Sequence, residues 1–129
     1  MASIFSRIIA GELPGNFVWQ DDVCVAIMTI QPINPGHVLV IPREEINHWD
    51  DLPDALATHL MLVSKKLAKA IKASFVCERV GVVIAGFEVP HTHIHVMPGN
   101  QLSDMQFNGL AMADAESLKA AAEKIRQAL

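Results

Sequence analysis

Three of the chain's six histidines, His91, His93 and His95, stand at every second position of one short stretch. Successive side chains of a β-strand point to opposite faces of a sheet, so this spacing predicts a strand with three imidazoles on one face. Thr92 and Ile94 would line the other face, as part of the core. An imidazole is mostly neutral at pH 7, because its ordinary pKa is about 6.5, and the neutral form is a nucleophile. The histidine face therefore predicts a chemical role.

Metal binding is one chemistry open to this face. Zinc binds imidazole nitrogens at about 2.0 Å. On a straight strand, however, His91 and His95 would lie about 13 Å apart, because the strand rises about 3.3 Å per residue. All three histidines cannot hold one ion. A metal site would need two of them with a carboxylate or with His37, His48 or His59, and no sequence signature marks such a ligand.

Nucleophilic attack on an electrophilic centre such as phosphorus is the other chemistry. One neutral imidazole can attack while its neighbours stabilise oxyanions or assist the leaving group. Gly86 lies shortly before the histidines, and a glycine turn can direct backbone N–H groups toward phosphate oxygens. Phosphoryl transfer depends chiefly on such positioning and charge stabilisation. The combination favours a reaction at phosphorus.

Composition narrows the class of protein. A chain of 129 residues suits a single domain, and 51% hydrophobic with 19% charged residues excludes a disordered chain. The net charge of -4 argues against a nucleic-acid partner. No apolar run reaches the roughly 18 residues of a membrane span, and no secretion leader is visible, so we expect no membrane partner and a cytoplasmic location. Cys24 and Cys77 are too few and too far apart for a disulfide framework.

Hydrophobic periodicity predicts the elements that position the histidines. Their order, α-β-β-β-α-β-β-α, indicates an α+β fold around a five-stranded antiparallel sheet, with one long and one short helix plus a C-terminal helix. The strand at 80–84 is expected to be buried, and Leu129 is expected on the buried face of the last helix. The predicted helices cover residues 4–10, 53–74 and 114–128, and the predicted strands cover 17–19, 23–28, 37–41, 80–84 and 90–98.

Five segments carry a resemblance to the histidine triad (HIT) nucleotide hydrolases and transferases. They are Ile4-Phe5, Gly11-Glu12-Leu13-Pro14, Asp21-Asp22, Asn34-Pro35-Gly36-His37-Val38-Leu39-Val40-Ile41-Pro42 and His91-Thr92-His93-Ile94-His95-Val96-Met97. The resemblance implies a single HIT domain over 1–129, with the C-terminal helix at about 114–128 outside the shared motifs. It also implies a homodimer that acts on a small-molecule nucleotide, an AMP or GMP derivative, without a cofactor.

The resemblance also assigns roles to the histidines. His93 would attack the α-phosphate and form a nucleotidyl-histidine that water then hydrolyses, while His95 would contact the phosphate and assist the leaving group. His91 and His37 would support them, and a backbone carbonyl would hold the His93 tautomer. The implied activity is that of a nucleotide phosphoramidase or dinucleoside polyphosphate hydrolase.

The implied nucleotide-binding residues depart from the family pattern. Thr29 stands where relatives commonly have an Asp or Asn that bonds ribose hydroxyls, and a threonine makes one such bond. The phosphate loop, Gly-Gln-Ser/Thr-Val in relatives, reads Gly86, Phe87, Glu88 and Val89 here. Glu88 would bring a negative charge to the phosphates unless it turns away or pairs with a histidine. A nucleotide-binding module with little turnover is therefore an alternative to the enzyme, and a zinc-dependent hydrolase is a third.

Structural zinc is not expected. Some bacterial relatives bind it through an N-terminal Cys-x-x-Cys and a histidine that follows the strand ending in Ile-Pro. The matching positions here are Ser3, Ser6 and Glu45. The resemblance therefore implies no metal ligands.

Overall fold

The computed structural model describes residues 2–129. Its element order matches the predicted order, and two short 3-10 helices, Trp49–Asp51 and Leu102–Asp104, lie in the connections. No helix in the part of the chain described is long and apolar enough to cross a membrane. The main elements are α1 (Ile4–Ile9), β1 (Phe17–Gln20), β2 (Cys24–Met28), β3 (Val38–Pro42), α2 (Asp54–Ser74), β4 (Arg79–Val83), β5 (Ile94–Gly99) and α3 (Ala115–Ala128).

The five strands form one antiparallel sheet in the order β1-β2-β3-β5-β4. The predicted α+β fold with a five-stranded antiparallel sheet is therefore confirmed. β2 and β3 are buried along their whole length. The expectation of a buried strand at 80–84 is wrong, because within residues 2–129 β4 pairs only with β5 and forms an edge of the sheet, where Val82 is 43% exposed. An apolar strand sequence does not distinguish a central strand from an edge strand.

The main core lies between one face of the sheet and helices α2 and α3. The buried side of α2 presents Leu60, Val63, Leu67 and Ile71, four of the five positions of the predicted stripe. The Asp114 side chain accepts a hydrogen bond from the Ser117 backbone N–H and caps α3, as expected. Buried residues of α3 join this core as well. Leu129, expected on the buried face, is 48% exposed because α3 ends one residue before it.

The opposite face of the sheet carries the histidines and a smaller apolar cluster under α1. Phe5 of α1 packs there against Ile27 and Leu39 of the central strands. His95 lies directly opposite Leu39 in the β3–β5 register, so its side chain is on the same face of the sheet. Ile94 lies opposite Val40, on the face that α2 covers. The predicted division into a histidine face and a core face holds for β5.

The predicted start of the histidine strand is wrong, because β5 begins only at Ile94. Continuing the β3–β5 register would place Pro42 opposite Thr92, and proline has no N–H to donate to a ladder. The chain bends instead. The Thr92 backbone N–H and side-chain hydroxyl both donate to the Ile46 carbonyl, at 2.7 and 2.8 Å. His91 and His93 therefore lie on a bent segment that precedes the strand.

Candidate active site

His93 is held in one tautomer by the backbone. Its Nδ1 lies 2.8 Å from the carbonyl oxygen of His91, and a carbonyl only accepts, so Nδ1 carries the proton. The unprotonated nitrogen is then Nε2, which has no hydrogen-bond partner among residues 2–129. The Phe5 ring packs edge-on against His93, with 4.9 Å between ring centroids. The bend before β5 thus presents a nucleophilic nitrogen in a fixed orientation.

His95 is held in the opposite tautomer by a chain of hydrogen bonds through His37. The backbone N–H of Ile33 donates to His37 Nδ1 at 3.1 Å, so His37 carries its proton on Nε2. That Nε2 lies 2.9 Å from Nδ1 of His95 and donates to it. His95 must then carry its own proton on Nε2. When both rings are neutral, His37 satisfies Nδ1 of His95, and the Nε2–H of His95 remains available as a hydrogen-bond donor.

Burial keeps the His37, His91 and His95 rings neutral at physiological pH. Desolvation, and secondarily the neighbouring His95, lowers the pKa of His37 to about 3. Desolvation and then His93 lower the pKa of His95 to about 4. The pKa of His91 is lowered as well, mainly by desolvation. An unprotonated His93 Nε2 and a protonated His95 Nε2 are complementary, because one can attack an electrophile while the other donates to an oxyanion.

A cavity of about 220 Å³ brings most of the predicted site residues together. His91 and Val89 are the exceptions. His91 is fully buried behind the site, and Val89 packs against the cluster under α1 while its carbonyl accepts from the His91 N–H. The predicted residues that line the cavity are Thr29, His37, Gly86, Phe87, Glu88, His93 and His95.

The loop that forms one wall of the cavity has a left-handed residue at its start. Gly86 has φ +76° and open space where a Cβ would stand, so glycine is required here by conformation and not by crowding. Phe87 is 96% exposed, and Glu88 is exposed as well. The Glu88 carboxylate makes no hydrogen bond or ion pair within residues 2–129. No histidine neutralises it.

A second wall of the cavity, which was not predicted from the sequence, is formed by the irregular segment between β5 and α3. The Phe107 ring packs on His95 with 4.5 Å between centroids, and Leu110 lies beside it. The Gln31 side chain donates to the Leu110 carbonyl at 3.3 Å, and the Ala113 N–H donates to the Ile30 carbonyl at 2.9 Å. These bonds tie the segment to the loop after β2. An isolated phenylalanine in an aperiodic segment gives no sequence signal for such a contact.

The three positions that correspond to zinc ligands in some relatives do come together, around His91. Ser3 Oγ lies 2.6 Å from His91 Nδ1, and Ser6 Oγ donates to Glu45 Oε1 at 2.7 Å. Both are hydrogen-bond distances. Zinc in proteins is held by thiolates, imidazoles and carboxylates, and two of the four groups here are hydroxyls that already bond their neighbours. These residues do not fit a zinc ion.

Another group of residues with metal-binding side chains lies outside the cavity. Asp21, Cys24 and His59 place their ligand atoms within 4.8 Å of one another. The Asp21 carboxylate accepts from His59 Nε2 at 2.6 Å and from Trp19 Nε1 at 2.8 Å. Burial, followed by the neighbouring Asp21, raises the pKa of the Cys24 thiol to about 12. The group is therefore a hydrogen-bonded cluster around Asp21, with a protonated thiol at neutral pH.

The α+β fold with its antiparallel sheet and the complementary tautomers of His93 and His95 define a histidine triad architecture. The sequence model of the HIT domain matches residues 10–102, which is more than half of the chain. The chain belongs to the HIT domain family. The matched region ends before α3, so the last helix and the segment that carries Phe107 lie beyond it.

Solved structures show the same fold. The chain is similar to a Hit-like protein of Bartonella henselae described as involved in cell-cycle regulation, with TM-score 0.88 and 31% identity over 98% of this chain and 96% of that one. It is similar to a hypothetical histidine triad nucleotide-binding protein of Sulfolobus tokodaii, with TM-score 0.84 and 25% identity over 96% and 89%. A HIT family hydrolase of Legionella pneumophila matches with TM-score 0.69 and 31% identity over 78% and 96%.

Proposed function

We propose that this protein is a nucleotide-binding hydrolase that cleaves a nucleoside monophosphate from an amine, a second nucleotide or a similar leaving group. The complementary tautomers of His93 and His95 carry the proposal, because together they supply a nucleophile and a hydrogen-bond donor at one cavity. Family membership supports it. The Sulfolobus tokodaii relative is described as nucleotide-binding and the Legionella pneumophila relative as a hydrolase.

The reaction would proceed in two displacements at the α-phosphorus. In the first, the lone pair of His93 Nε2 forms a bond to phosphorus, and the leaving group departs with the electron pair of its own bond and takes a proton from water. The Nε2–H of His95 donates to the phosphate or leaving group as charge develops. The modified His93 ring is cationic, and its Nδ1–H remains bonded to the His91 carbonyl. In the second displacement, water attacks phosphorus and loses a proton to the solvent. The bond to Nε2 breaks and returns its electron pair to that nitrogen, and the nucleoside monophosphate is released.

The nucleoside would lie on the side of the cavity that Thr29 lines. The Thr29 hydroxyl oxygen accepts from the Gln31 N–H at 3.3 Å, so its own proton is free for one ribose hydroxyl. The backbone at Gly86, Phe87 and Glu88 would face the phosphates. AMP and GMP derivatives are the proposed substrates, and no cofactor takes part. Val89 would act only through the shape of the loop, because its side chain is outside the cavity.

Glu88 favours a second candidate function, a nucleotide-binding module with little turnover. Its carboxylate lines the cavity without a partner in residues 2–129, and a phosphate would bring two like charges together. If this repulsion destabilises the transition state more than the bound ground state, the protein would bind the nucleotide but turn it over slowly. Only a measured turnover number separates this candidate from the hydrolase.

The proposal includes a cytoplasmic homodimer. The backbone edge of β4 is unpaired in the single chain, and an exposed strand edge is a template for pairing with another copy. Met61 and Leu62 of α2 are 49% and 55% exposed, and Val76, just before β4, is fully exposed. We propose that α2 and β4 of two copies meet here. Sedimentation at micromolar concentration should give a dimer, and a monomer there would exclude it.

Turnover of adenosine 5'-phosphoramidate tests the proposed function. Wild-type protein should release AMP, detected by chromatography, and His93→Ala should release none while calorimetry still shows nucleotide binding. His59→Ala is a matched control, because this histidine is outside the cavity. Wild-type protein that binds AMP without turnover would favour the binding module. A His93→Ala variant with the wild-type rate would refute the mechanism.

A further inference from the structure

Four polar side chains meet behind the cavity, where α1, the connection after β3 and the bend before β5 come together. Ser3 Oγ lies 2.6 Å from His91 Nδ1. The Glu45 carboxylate accepts from the Ser6 hydroxyl at 2.7 Å and from the Ser3 backbone N–H at 2.6 Å. His91 is fully buried, Ser3 is 8% exposed, and Glu45 is on the surface. The result is a hydrogen-bonded chain from a buried imidazole to an exposed carboxylate.

The partners of His91 fix the direction of these hydrogen bonds. His91 Nε2 lies 2.7 Å from the carbonyl oxygen of Pro42, which only accepts, so Nε2 carries the proton of the neutral ring. Nδ1 is then an acceptor, and the Ser3 hydroxyl donates to it. Ser3 Oγ in turn accepts from the backbone N–H of Ser6 at 3.0 Å. Every polar atom of the His91 ring therefore has a partner, although the ring is inaccessible to water.

The same residue supplies the carbonyl that holds His93. The His91 carbonyl oxygen is 2.8 Å from His93 Nδ1, so the position of the His91 peptide determines which His93 nitrogen is free. A buried ring nitrogen that loses its partner must find another. If Ser3 no longer donates, the His91 ring must tilt toward the Ser6 hydroxyl, which lies 3.5 Å from Nδ1, and its peptide follows. The His93 tautomer would then be less strictly set.

We propose that Ser3, Ser6 and Glu45 are positioning residues that lock the His91 ring and, through the His91 carbonyl, the reactive tautomer of His93. Glu45 orients Ser3 by accepting a hydrogen bond from the Ser3 backbone N–H, and it orients Ser6 by accepting one from the Ser6 hydroxyl. Ser3 completes the contact with His91. The catalytic meaning of this chain rests on the proposed function, but the tautomer of His93 can be measured without any substrate.

Nitrogen-15 NMR of the histidine rings reads the tautomer directly. Wild-type His93 should show a protonated Nδ1 and an unprotonated Nε2. Ser3→Ala should give a mixture of both tautomers, and Ser3→Thr, which keeps the hydroxyl, should restore the wild-type pattern. Glu45→Ala should cause a smaller shift in the same direction. Glu44→Ala is the control, because Glu44 is an exposed neighbour that takes no part in the chain.

Kinetics provide the second measurement. If the proposed hydrolase activity holds, Ser3→Ala should lower kcat about tenfold, as loss of the partners that orient histidine ligands does in metal sites, with KM within twofold of wild type. Ser3 also caps α1, so Glu45→Ala, which keeps that cap, decides the matter if Ser3→Ala does not fold. A single wild-type His93 tautomer in folded Ser3→Ala or in Glu45→Ala would overturn the proposal. Absence of turnover in wild-type protein would refute the proposed function alone, because the NMR result stands independently.

Discussion

Replacing Glu88 by serine should increase the affinity for nucleotides, or the turnover rate, by removing a charge from the cavity wall. Two unit charges about 4 Å apart interact by about 4 kcal/mol at an effective dielectric constant of 20 and by about 1 kcal/mol in water. Glu88 is exposed, so the value near that in water applies. About 1 kcal/mol corresponds to about a fivefold change in affinity or rate.

Salt dependence separates this electrostatic effect from the effect of a new hydroxyl. The screening length is about 10 Å at 0.1 M salt and about 3 Å at 1 M. Raising the salt concentration should therefore increase the affinity of wild-type protein for AMP, measured by calorimetry, more than it increases the affinity of Glu88→Ser. Glu88→Gln, which removes the charge but keeps the shape, should behave like Glu88→Ser. Loss of activity in either variant would contradict the reasoning, because it would identify Glu88 as a working acid or as a partner of a histidine.

Three further predictions concern protonation, packing and metal. The pKa of His95 is lowered to about 4 in the folded protein, below the unfolded value of about 6.5, so the unfolded state binds more protons between these values. The free energy of unfolding should be highest above pH 6.5 and fall by about 1.4 kcal/mol per pH unit from this histidine as the pH drops to about 4. In urea titrations, His95→Asn should lose stability less steeply than wild type by about this amount, while His37 and His91 keep their own contributions. Phe107→Ala should admit water to the His95 ring and move its pKa toward 6.5 in an NMR titration; an unchanged pKa would show that Phe107 does not shield it. Purified protein should contain less than stoichiometric zinc by mass spectrometry, and EDTA should leave turnover unchanged, whereas activity lost to EDTA and restored by zinc would favour the zinc-dependent hydrolase.

Periodicity predicted the helices because α2 and α3 each have one clear apolar face, and the central strands were predicted because they are short apolar runs. The α2 stripe from Leu60 to Ile71 shows this, since three- and four-residue spacing fits only a helix. Periodicity does not show which strand of the sheet pairs with which. The sequence around Val82 is as apolar as a central strand, yet in the described part of the chain β4 pairs with β5 alone and lies at the edge of the sheet. The bend at His91 depends on Pro42, which lies 49 residues away.

The candidate site was only partly predictable for the same reason. The spacing of His91, His93 and His95 identified the histidines. The tautomers of His91 and His95, however, depend on groups far away in the sequence: the Pro42 carbonyl for His91, and His37 with the Ile33 N–H for His95. Phe107 packs on His95 from an aperiodic segment. No local pattern indicates such a contact.

The most direct test of the account is to trap the covalent intermediate. Wild-type protein turning over an AMP phosphoramidate should be quenched in denaturant at alkaline pH, where a phosphorus–nitrogen bond to histidine survives, and analysed by peptide mass spectrometry at the same pH. AMP should be found attached to His93 as an adduct that later acid treatment removes and that is absent from His93→Ala. His93 Nε2 is the unprotonated nitrogen that lacks a partner in residues 2–129, and His95 presents a proton there instead. An adduct on another residue, or turnover that never yields an adduct on His93, would contradict the proposed mechanism.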